Sequence, residues 1–326
     1  MSEIWAWIGG TIGVILLIII ILYLLHKYFQ GGQFRKDHIL MEGKVVIITG
    51  ANTGIGKESA MDLSRRGAHV YLACRDRQRG EDARMEIMEK TGNPNVFYRQ
   101  LDLASMASIH SFAETFKKEE SRLDVLLNNA GVMMIPTRCL TKDGFEMQIG
   151  VNHMGHFMLT NLLLDLLKKS APSRIINVSS LAHIGGQINR NDMNSEKSYN
   201  RITAYSQSKL ANLLFTRELA KRLEGTKVTV NALHPGAVNT ELLRYIPSWL
   251  LFLGRPFLAI FFKSPRNGAQ TQIRLAVDPV LVDVTGKYFS DCKEKRTSSE
   301  ARDDETAAWL WAESVKWTKL STKTDQ

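Results

Sequence analysis

Tyr205 and Lys209 are spaced so that both could act on one substrate molecule. They belong to the run Tyr-Ser-Gln-Ser-Lys, which opens a helical pattern ending near Glu224. Residues i and i+4 lie on the same face of a helix. A free tyrosine has a pKa of about 10, and a neighbouring ammonium lowers it, so the pair could exchange a proton with an alcohol or carbonyl oxygen. The Tyr-x-x-x-Lys pattern is common, however, and alone it also fits an ordinary surface helix.

A glycine-rich loop provides a second chemical feature. A buried strand pattern at 45–48 runs into a loop with Gly50, Gly54 and Gly56, and an amphipathic helix pattern follows. Glycine allows the tight turn and lets the backbone approach a pyrophosphate, while the helix N-terminus offers free N–H groups to the anion. A glycine-rich loop is a weak signal alone, but the strand–loop–helix context supports a dinucleotide site.

The end of the second predicted strand favours NADP(H). Cys74 occupies the position where an NAD site usually has an acid, and Arg75 follows it. A guanidinium can pair with the 2′-phosphate of NADP, with Lys57 or Arg77 as helpers. Asp76 argues mildly against this interpretation, because its carboxylate could reach a ribose hydroxyl. A solvated loop charge is the alternative for Arg75.

The elements that must position these residues alternate along the chain. Short apolar runs bounded by turn residues alternate with helix-length segments, which predicts a parallel sheet with helices on both faces. Ligands of such sheets bind beyond the carboxyl ends of the strands. The predicted strands cover 45–48, 70–73, 125–127, 175–178 and 228–233, and the predicted helices cover 58–66, 77–90, 109–120 and 155–169.

The first residues predict a membrane anchor. Residues 4–25 carry no charge, and about 20 apolar residues span a bilayer core of roughly 30 Å. A cleaved signal peptide fits poorly, because no basic segment precedes the apolar run and no small-residue cleavage site follows it. The only charge before the span is Glu3, whereas Lys27, Arg35 and Lys36 follow it, which predicts that the remainder faces the cytosol.

Composition excludes several classes of protein. Hydrophobic residues make up 44% and charged residues 23% of the 326, so the chain is neither disordered nor fibrous. The net charge of +9 is dispersed, which argues against nucleic-acid binding. Three distant cysteines without a CxxC pair argue against a disulfide framework and a structural metal site. We divide the chain into an anchor (1–27), a linker (28–41), a catalytic domain (42–300) and a C-terminal helical tail (301–326).

Four further segments resemble a known family. These segments are Asn128-Asn129-Ala130-Gly131, Val151-Asn152-His153, the strand end at 175–180, and the stretch 234–240. In this order, with the glycine loop and Tyr205-x-x-x-Lys209, they resemble the short-chain dehydrogenase/reductase family over residues 42–290. The resemblance implies an α/β fold, namely a single Rossmann-type, doubly wound parallel sheet of about seven strands.

The resemblance also implies roles for four residues. Tyr205 would be the general acid/base, and Lys209 would lower its pKa and hold the nicotinamide ribose. Ser180 would hydrogen-bond the reacting oxygen, and Asn152 would help to hold a relay water. The implied cofactor-binding residues are Gly50, Asn52, Thr53, Gly54, Ile55, Gly56, Arg75, Asp102, Leu103, Asn129, Ala130, Gly131, Tyr205, Lys209, Pro235, Gly236, Val238 and Thr240.

The sequence departs from the family pattern at the catalytic serine. Many members place this serine about a dozen residues before the tyrosine, but Ser180 and Tyr205 are 25 residues apart, with a polar insert at 185–200. Ser179 is adjacent, and we favour Ser180 from the alignment of the strand end. We interpret His153 and His156 as helix-packing residues.

The substrate is predicted to be apolar. Residues 242–262 are rich in aromatic and aliphatic side chains and predict a lid over the substrate cleft that also touches the membrane, although an ordinary core helix fits too. The anchor and several motifs resemble the membrane-bound retinol dehydrogenase subgroup, which implies reduction of retinal and related lipid aldehydes with NADPH at the endoplasmic reticulum. A homo-oligomer is compatible with the sequence.

Two other functions and one structural question stay open. A steroid or other bulky lipid carbonyl reductase would use the same chemistry. A catalytically silent NADP-binding scaffold at the membrane is less favoured, because all four catalytic positions are filled. The tail segment 303–317, with Trp309, Trp311 and Trp317, predicts either a packing helix or a membrane-contact surface.

Overall fold

An eight-stranded sheet forms the centre of the protein, for which a computed structural model describes residues 2–238 and 261–320. The strands lie in the order β3-β2-β1-β4-β5-β6-β7-β8, and all pairs are parallel except β7–β8. The strands are β1 (Val45–Thr49), β2 (His69–Cys74), β3 (Val96–Gln100), β4 (Val125–Asn128), β5 (Ser173–Val178), β6 (Val228–His234), β7 (Tyr288–Ser290) and β8 (Lys293–Lys295).

The eighth strand differs from the predicted count of about seven. β8 has the sequence Lys-Glu-Lys and is fully exposed, so it carries no apolar pattern that sequence reasoning could detect. It pairs antiparallel with β7 because Asp291 and Cys292 form a two-residue turn with φ of +53° and +57°. Two positive φ values are the geometry of a tight hairpin turn. The parallel Rossmann-type sheet itself is confirmed.

Helices cover both faces of the sheet. They are α1 (Ser2–Phe29), α2 (Gly54–Arg65), α3 (Arg77–Thr91), α4 (Met106–Glu119), α5 (Met147–Ile149), α6 (Gly155–Lys169), α7 (Arg201–Arg222), α8 (Pro265–Val277) and α9 (Asp304–Thr318), with a π-helical turn at Gly150–Met154 between α5 and α6. α4 begins before the predicted residue 109, because the Ser105 hydroxyl accepts the Ser108 N–H and caps the helix there.

The two faces of the sheet have separate apolar cores. Successive residues of a strand point to opposite faces, and in β1 Val45 and Ile47 pack into one core while Val46 and Ile48 pack into the other. The first core includes α4, α6 and α7, and the second includes α2, α3 and α8. Both faces of β1 are therefore buried, which explains its unbroken apolar sequence.

α1 is the one element of the described chain that is long and apolar enough to cross a membrane. Residues 11–29 form this span, and none of it is buried against the rest of the protein. The following residues, predicted as a linker, pack against the domain. Phe34 and Met41 are buried in the core that contains α2 and α8.

The C-terminal helix α9 packs onto the domain through its three tryptophans. Trp311 contacts Phe157 at a ring-centroid distance of 4.9 Å, and the guanidinium of Arg222 lies 4.3 Å from its ring. Trp317 stacks on Phe145, and Trp309 lies under the guanidinium of Arg190. Of the two structures that the tail sequence left open, α9 is therefore a packing helix.

Candidate active site

The glycine loop connects β1 to α2. Gly50 and Gly54 have φ of +65° and +58°, which favour glycine. A Cβ on Gly56 would lie 2.5 Å from Asn129 Nδ2 and from the Gly50 carbonyl oxygen, so only glycine fits there. Thr53 precedes α2 without a side-chain capping bond. The first turn of α2 thus keeps N–H groups for an anion such as a pyrophosphate, which is the fit that a dinucleotide requires.

Thr49 joins the ends of β1 and β4 below this loop. Its hydroxyl oxygen accepts the N–H groups of Asn129 and Ala130, each at 2.9 Å. His156 Nδ1 lies 3.0 Å from the Asn152 carbonyl, so Nδ1 carries the proton and Nε2 accepts the Thr49 hydroxyl at 2.9 Å. Burial lowers the pKa of His156 to about 4, which keeps the ring neutral. Thr49 was missed as a site residue, and its position directly before Gly50 is the signal that could have found it.

Asn129 holds the glycine loop through the nitrogen of its side-chain amide. Its Nδ2 donates to the Thr49 carbonyl at 2.7 Å and to the Gly50 carbonyl at 3.3 Å. Its Oδ1 is buried and has no hydrogen-bond partner among the described residues. A buried acceptor without a partner is costly, and a ribose hydroxyl could donate to it. The predicted position beside the adenine ribose is compatible with this geometry.

Cys74 and Arg75 occupy contrasting positions at the end of β2. Cys74 is buried, and burial raises the pKa of its thiol to about 11, although the N–H groups of Ala51 and Asn52 act in the opposite direction. Arg75 is exposed, and no carboxylate of the described chain forms an ion pair with it. The Asp76 carboxylate accepts the Arg79 N–H at 2.9 Å as the cap of α3. This bond engages one oxygen of the Asp76 carboxylate within the chain itself.

Two other predicted cofactor residues follow β3. Asp102 Oδ1 accepts the Ala104 N–H at 3.1 Å, and its Oδ2 lies 3.5 Å from Lys142 Nζ. Leu103 is buried. Its carbonyl oxygen lies so close to Gly155 that a Cβ on this glycine would be only 2.7 Å away. Both residues lie beyond the carboxyl end of β3, a strand that we did not predict, and their place at the adenine stays a prediction.

Tyr205 lies in the second turn of α7 and Lys209 in the third, and both are buried. Lys209 Nζ is 5.7 Å from the centre of the Tyr205 ring and donates to the Val178 carbonyl at 3.1 Å. Burial lowers the pKa of Lys209 to about 8. Burial also raises the pKa of Tyr205, while a hydrogen bond with Ser180 acts to lower it. The pKa of Tyr205 is therefore raised overall, whereas we predicted that Lys209 would lower it. The reason is that desolvation of the phenolate outweighs the effect of Ser180.

The two adjacent serines have different partners. The Ser179 hydroxyl is buried and donates to the Lys209 carbonyl at 2.7 Å, which ties β5 to α7. The Ser180 hydroxyl accepts the Ala182 N–H at 3.2 Å and lies close enough to Tyr205 to act toward a lower pKa of that phenol. A short helical turn, Leu181–Gly185, begins directly after Ser180. The geometry therefore brings Ser180, and not Ser179, to the tyrosine hydroxyl.

Asn152 lies in the π-helical turn and links two elements of the site. Its Oδ1 accepts the Val132 N–H at 2.8 Å, and its Nδ2 donates to the Val132 carbonyl and to Ser208 Oγ, both at 2.9 Å. A Cβ on Gly131 would lie 3.2 Å from Asn152 Oδ1 and 3.4 Å from Lys209 Nζ. Asn152 is thus next to Lys209, but its predicted role with a relay water stays a prediction. Ser208 was not identified from the sequence.

The loop after β6 forms the wall of the site that faces the glycine loop. His234 Nδ1 accepts the Leu181 N–H at 3.3 Å, and burial lowers the pKa of His234 to about 4. Val238 lies close to Gly268 and opposite Ile55 of the glycine loop. Pro235 and Gly236 follow His234 in this loop, and their predicted contact with the nicotinamide stays a prediction. Thr240 and almost all of the predicted lid at 242–262 lie outside the described residues.

Comparisons with known proteins agree with this geometry. A family model described as short chain dehydrogenase matches residues 44–251. Retinol dehydrogenase 12 of Homo sapiens is 54% identical over 287 residues, which cover 88% of this chain and 90% of that protein.

Solved structures have the same fold. An uncharacterized protein from Mycobacterium paratuberculosis is 37% identical, with a TM-score of 0.71 over 88% of this chain and 98% of its own. A Pseudomonas aeruginosa RhlG/NADP active-site complex is 27% identical, with a TM-score of 0.62 over 77% of this chain and 96% of its own.

Proposed function

Because the chain belongs to the short-chain dehydrogenase/reductase family, and within it to the retinol dehydrogenase subgroup, we propose that it reduces retinal and related lipid aldehydes with NADPH. The observation that carries this proposal is the cluster of buried Tyr205 and Lys209 with half-buried Ser180. We name these three residues and Asn152 the catalytic cluster. The relative with 54% identity is called a retinol dehydrogenase, which supports the substrate class.

The catalytic cluster can supply the proton of a carbonyl reduction. When bound, reduced nicotinamide supplies a hydride to the carbonyl carbon. The Tyr205 hydroxyl gives its proton to the carbonyl oxygen, and the Ser180 hydroxyl hydrogen-bonds the same oxygen. The phenolate left on Tyr205 is stabilised by Ser180 and by the positive charge of Lys209, and it regains a proton from solvent.

We infer the direction of the reaction from the compartment. The charges around α1 favour a cytosolic catalytic domain. Because cytosolic NADP is kept mostly reduced, this location supports aldehyde reduction over alcohol oxidation.

The proposed preference for NADPH over NADH rests on the residues at the end of β2. Arg75 is exposed and unpaired within the described chain, so it is available to a 2′-phosphate. Cys74 offers no carboxylate to a ribose 2′-hydroxyl, and Asp76 is held as a helix cap. The similar RhlG structure is a complex with NADP, which supports the same choice.

The anchor explains how an apolar substrate reaches this site. α1 is apolar and unburied over residues 11–29, and its last turn contains His26 and Lys27. We propose a single-pass anchor in the endoplasmic reticulum membrane with the catalytic domain in the cytosol, and we keep the domain boundaries given above. A lipid aldehyde dissolved in the bilayer would then enter beside the anchor.

Steady-state kinetics on the full chain in microsomes test the proposal. We expect kcat/KM for all-trans-retinal with NADPH to exceed that with NADH, and to exceed that for a steroid ketone. A higher kcat/KM for the steroid ketone would instead favour the steroid reductase that the sequence left open. Protease treatment of sealed microsomes tests the orientation, since digestion of the catalytic domain is expected only if it faces the cytosol.

A further inference from the structure

The segment that follows the anchor is bonded to the start of α8. Gln30 Nε2 donates to the Phe262 carbonyl at 3.2 Å. Gln30 Oε1 accepts the Ser264 N–H at 3.3 Å and Asn267 Nδ2 at 2.7 Å. One side chain just past the anchor therefore makes three bonds to residues more than 230 positions away in the sequence.

Two glycines allow this close approach. Gly31 has a φ of +73°, and a Cβ at this position would overlap Lys263 Nζ and Asp291 Oδ1. A Cβ on Gly32 would overlap the Asp291 carbonyl oxygen. Lys263 is 5% exposed and forms an ion pair with Asp291 beneath these glycines. This close contact therefore requires glycine at positions 31 and 32.

The start of α8 contacts both walls of the proposed dinucleotide site. The Lys263 N–H donates to the Ala237 carbonyl at 2.7 Å, in the loop after β6. A Cβ on Gly268 would lie 2.6 Å from Val238 and 2.8 Å from Ile55. Farther along α8, Gln272 Nε2 donates to the Ile55 carbonyl at 3.0 Å. A shift at the start of α8 would therefore reach both loops.

We propose that Gln30 is a positioning residue for the dinucleotide site, acting from the end of the membrane anchor through α8. Its three bonds hold the start of α8, which in turn holds Ile55 and the loop after β6 in the binding geometry. A loop that already has its bound geometry loses less conformational entropy when the ligand binds, so binding is tighter. The inference rests on the proposed dinucleotide binding, but not on the identity of the lipid substrate.

The test measures NADPH binding to the full-length protein in detergent micelles. We expect Gln30→Ala to raise the Kd for NADPH about 3- to 30-fold, which corresponds to about 0.7–2 kcal/mol, because the variant loses the three bonds that hold the start of α8. We expect kcat at saturating NADPH to change less than about twofold, because the catalytic cluster does not contact Gln30. Gln33→Ala is the matched control, since Gln33 Oε1 accepts from Arg35 in an exposed pair.

Two further variants separate positioning from loss of folding. Gln30→Glu keeps the acceptor for Ser264 and Asn267, so we expect it to recover most of the affinity that Gln30→Ala loses. Asn267→Ala removes the shortest of the three bonds from the other side, and we expect about a 2- to 10-fold higher Kd. In the double variant Gln30→Ala/Asn267→Ala, the Kd for NADPH should rise by less than the product of the two single-variant increases, because the two residues share one bond.

Each outcome decides the proposal. Wild-type NADPH affinity in Gln30→Ala and Asn267→Ala, or an equal loss in Gln33→Ala, would overturn it. A wild-type protein that binds NADPH but does not reduce retinal would contradict only the proposed substrate. A wild-type protein that binds neither NADPH nor NADH would overturn both proposals.

Discussion

Lys209 and Arg75 are basic residues proposed to bind the same dinucleotide, and their surroundings are opposite. Lys209 is buried, donates to the Val178 carbonyl and has its pKa lowered to about 8. Arg75 is exposed at the end of β2 without an ion-pair partner in the described chain. The catalytic cluster is therefore held by protein contacts before any ligand binds, whereas Arg75 is left free for one.

This difference separates chemistry from cofactor choice. A charged group in low-dielectric surroundings interacts strongly with its neighbours, so a change in the catalytic cluster should affect the chemical step. An exposed group gains its main partner only from a ligand, so a change at Arg75 should alter which dinucleotide binds. The following predictions test whether the two regions can be changed independently.

Tyr205→Phe should have the largest effect. The ring still packs, but the transferable proton is lost, so we expect kcat for retinal reduction to fall about 10²- to 10⁴-fold. The Kd for NADPH should change less than about twofold. Tyr199→Phe is the matched control, because the Tyr199 hydroxyl donates to the Ile135 carbonyl outside the cluster. Near-normal turnover in Tyr205→Phe would refute the mechanism.

Arg75→Ala should act on binding alone. Loss of a charge-assisted hydrogen bond of about 1.5–3 kcal/mol corresponds to about a 10- to 100-fold higher Kd for NADPH. The Kd for NADH should stay within about twofold, because NADH has no 2′-phosphate. Titration of both dinucleotides against this variant and the wild type measures the difference. Equal losses for NADPH and NADH would show that Arg75 does not recognise the phosphate.

The pH profile should report Lys209 and not Arg75. Lys209 is a charged ammonium below its pKa of about 8 and neutral above it. We therefore expect kcat/KM for reduction to fall as the pH rises through about 8, approaching tenfold per pH unit above it. Lys209→Arg keeps its charge and should lose this decline even if its activity is lower. A profile that is flat to pH 9.5 in the wild type would contradict the prediction.

Cys74→Asp should give the smallest change. An aspartate would offer an acceptor to the ribose 2′-hydroxyl of NADH and would repel the 2′-phosphate of NADPH. One hydrogen bond worth about 0.5–1.5 kcal/mol predicts a shift of about 2- to 12-fold in the ratio of the two dissociation constants toward NADH. Cys74→Ser, which adds no charge, is the control and should leave the ratio nearly unchanged.

Local sequence patterns predicted most of the sheet and the centre of the site. Short runs rich in apolar residues marked five of the buried strands, because strands covered on both faces bury most of their side chains. Gly50, Gly54 and Gly56 marked the loop before α2, since the backbone geometry there requires glycine. The i, i+4 spacing of Tyr205 and Lys209 placed both on one face of α7.

Other features depended on contacts between distant residues. β8 has no apolar pattern and pairs with β7 only because of the turn at Asp291 and Cys292. Ser179 and Ser180 are equivalent in type and differ only in their partners, the Lys209 carbonyl and Tyr205. The direction of the Tyr205 pKa was wrong from sequence, because burial is a property of the whole fold.

The sequence alone determined the type of chemistry, through residues whose spacing matches a helix, a strand end or a glycine loop. These periodicities are local, and backbone geometry imposes them wherever the element forms. Only the tertiary structure decided that Gln30 bonds to α8 and that the tryptophans of α9 pack on the domain. Such contacts join positions far apart in the chain, and they arise from packing that no local pattern contains.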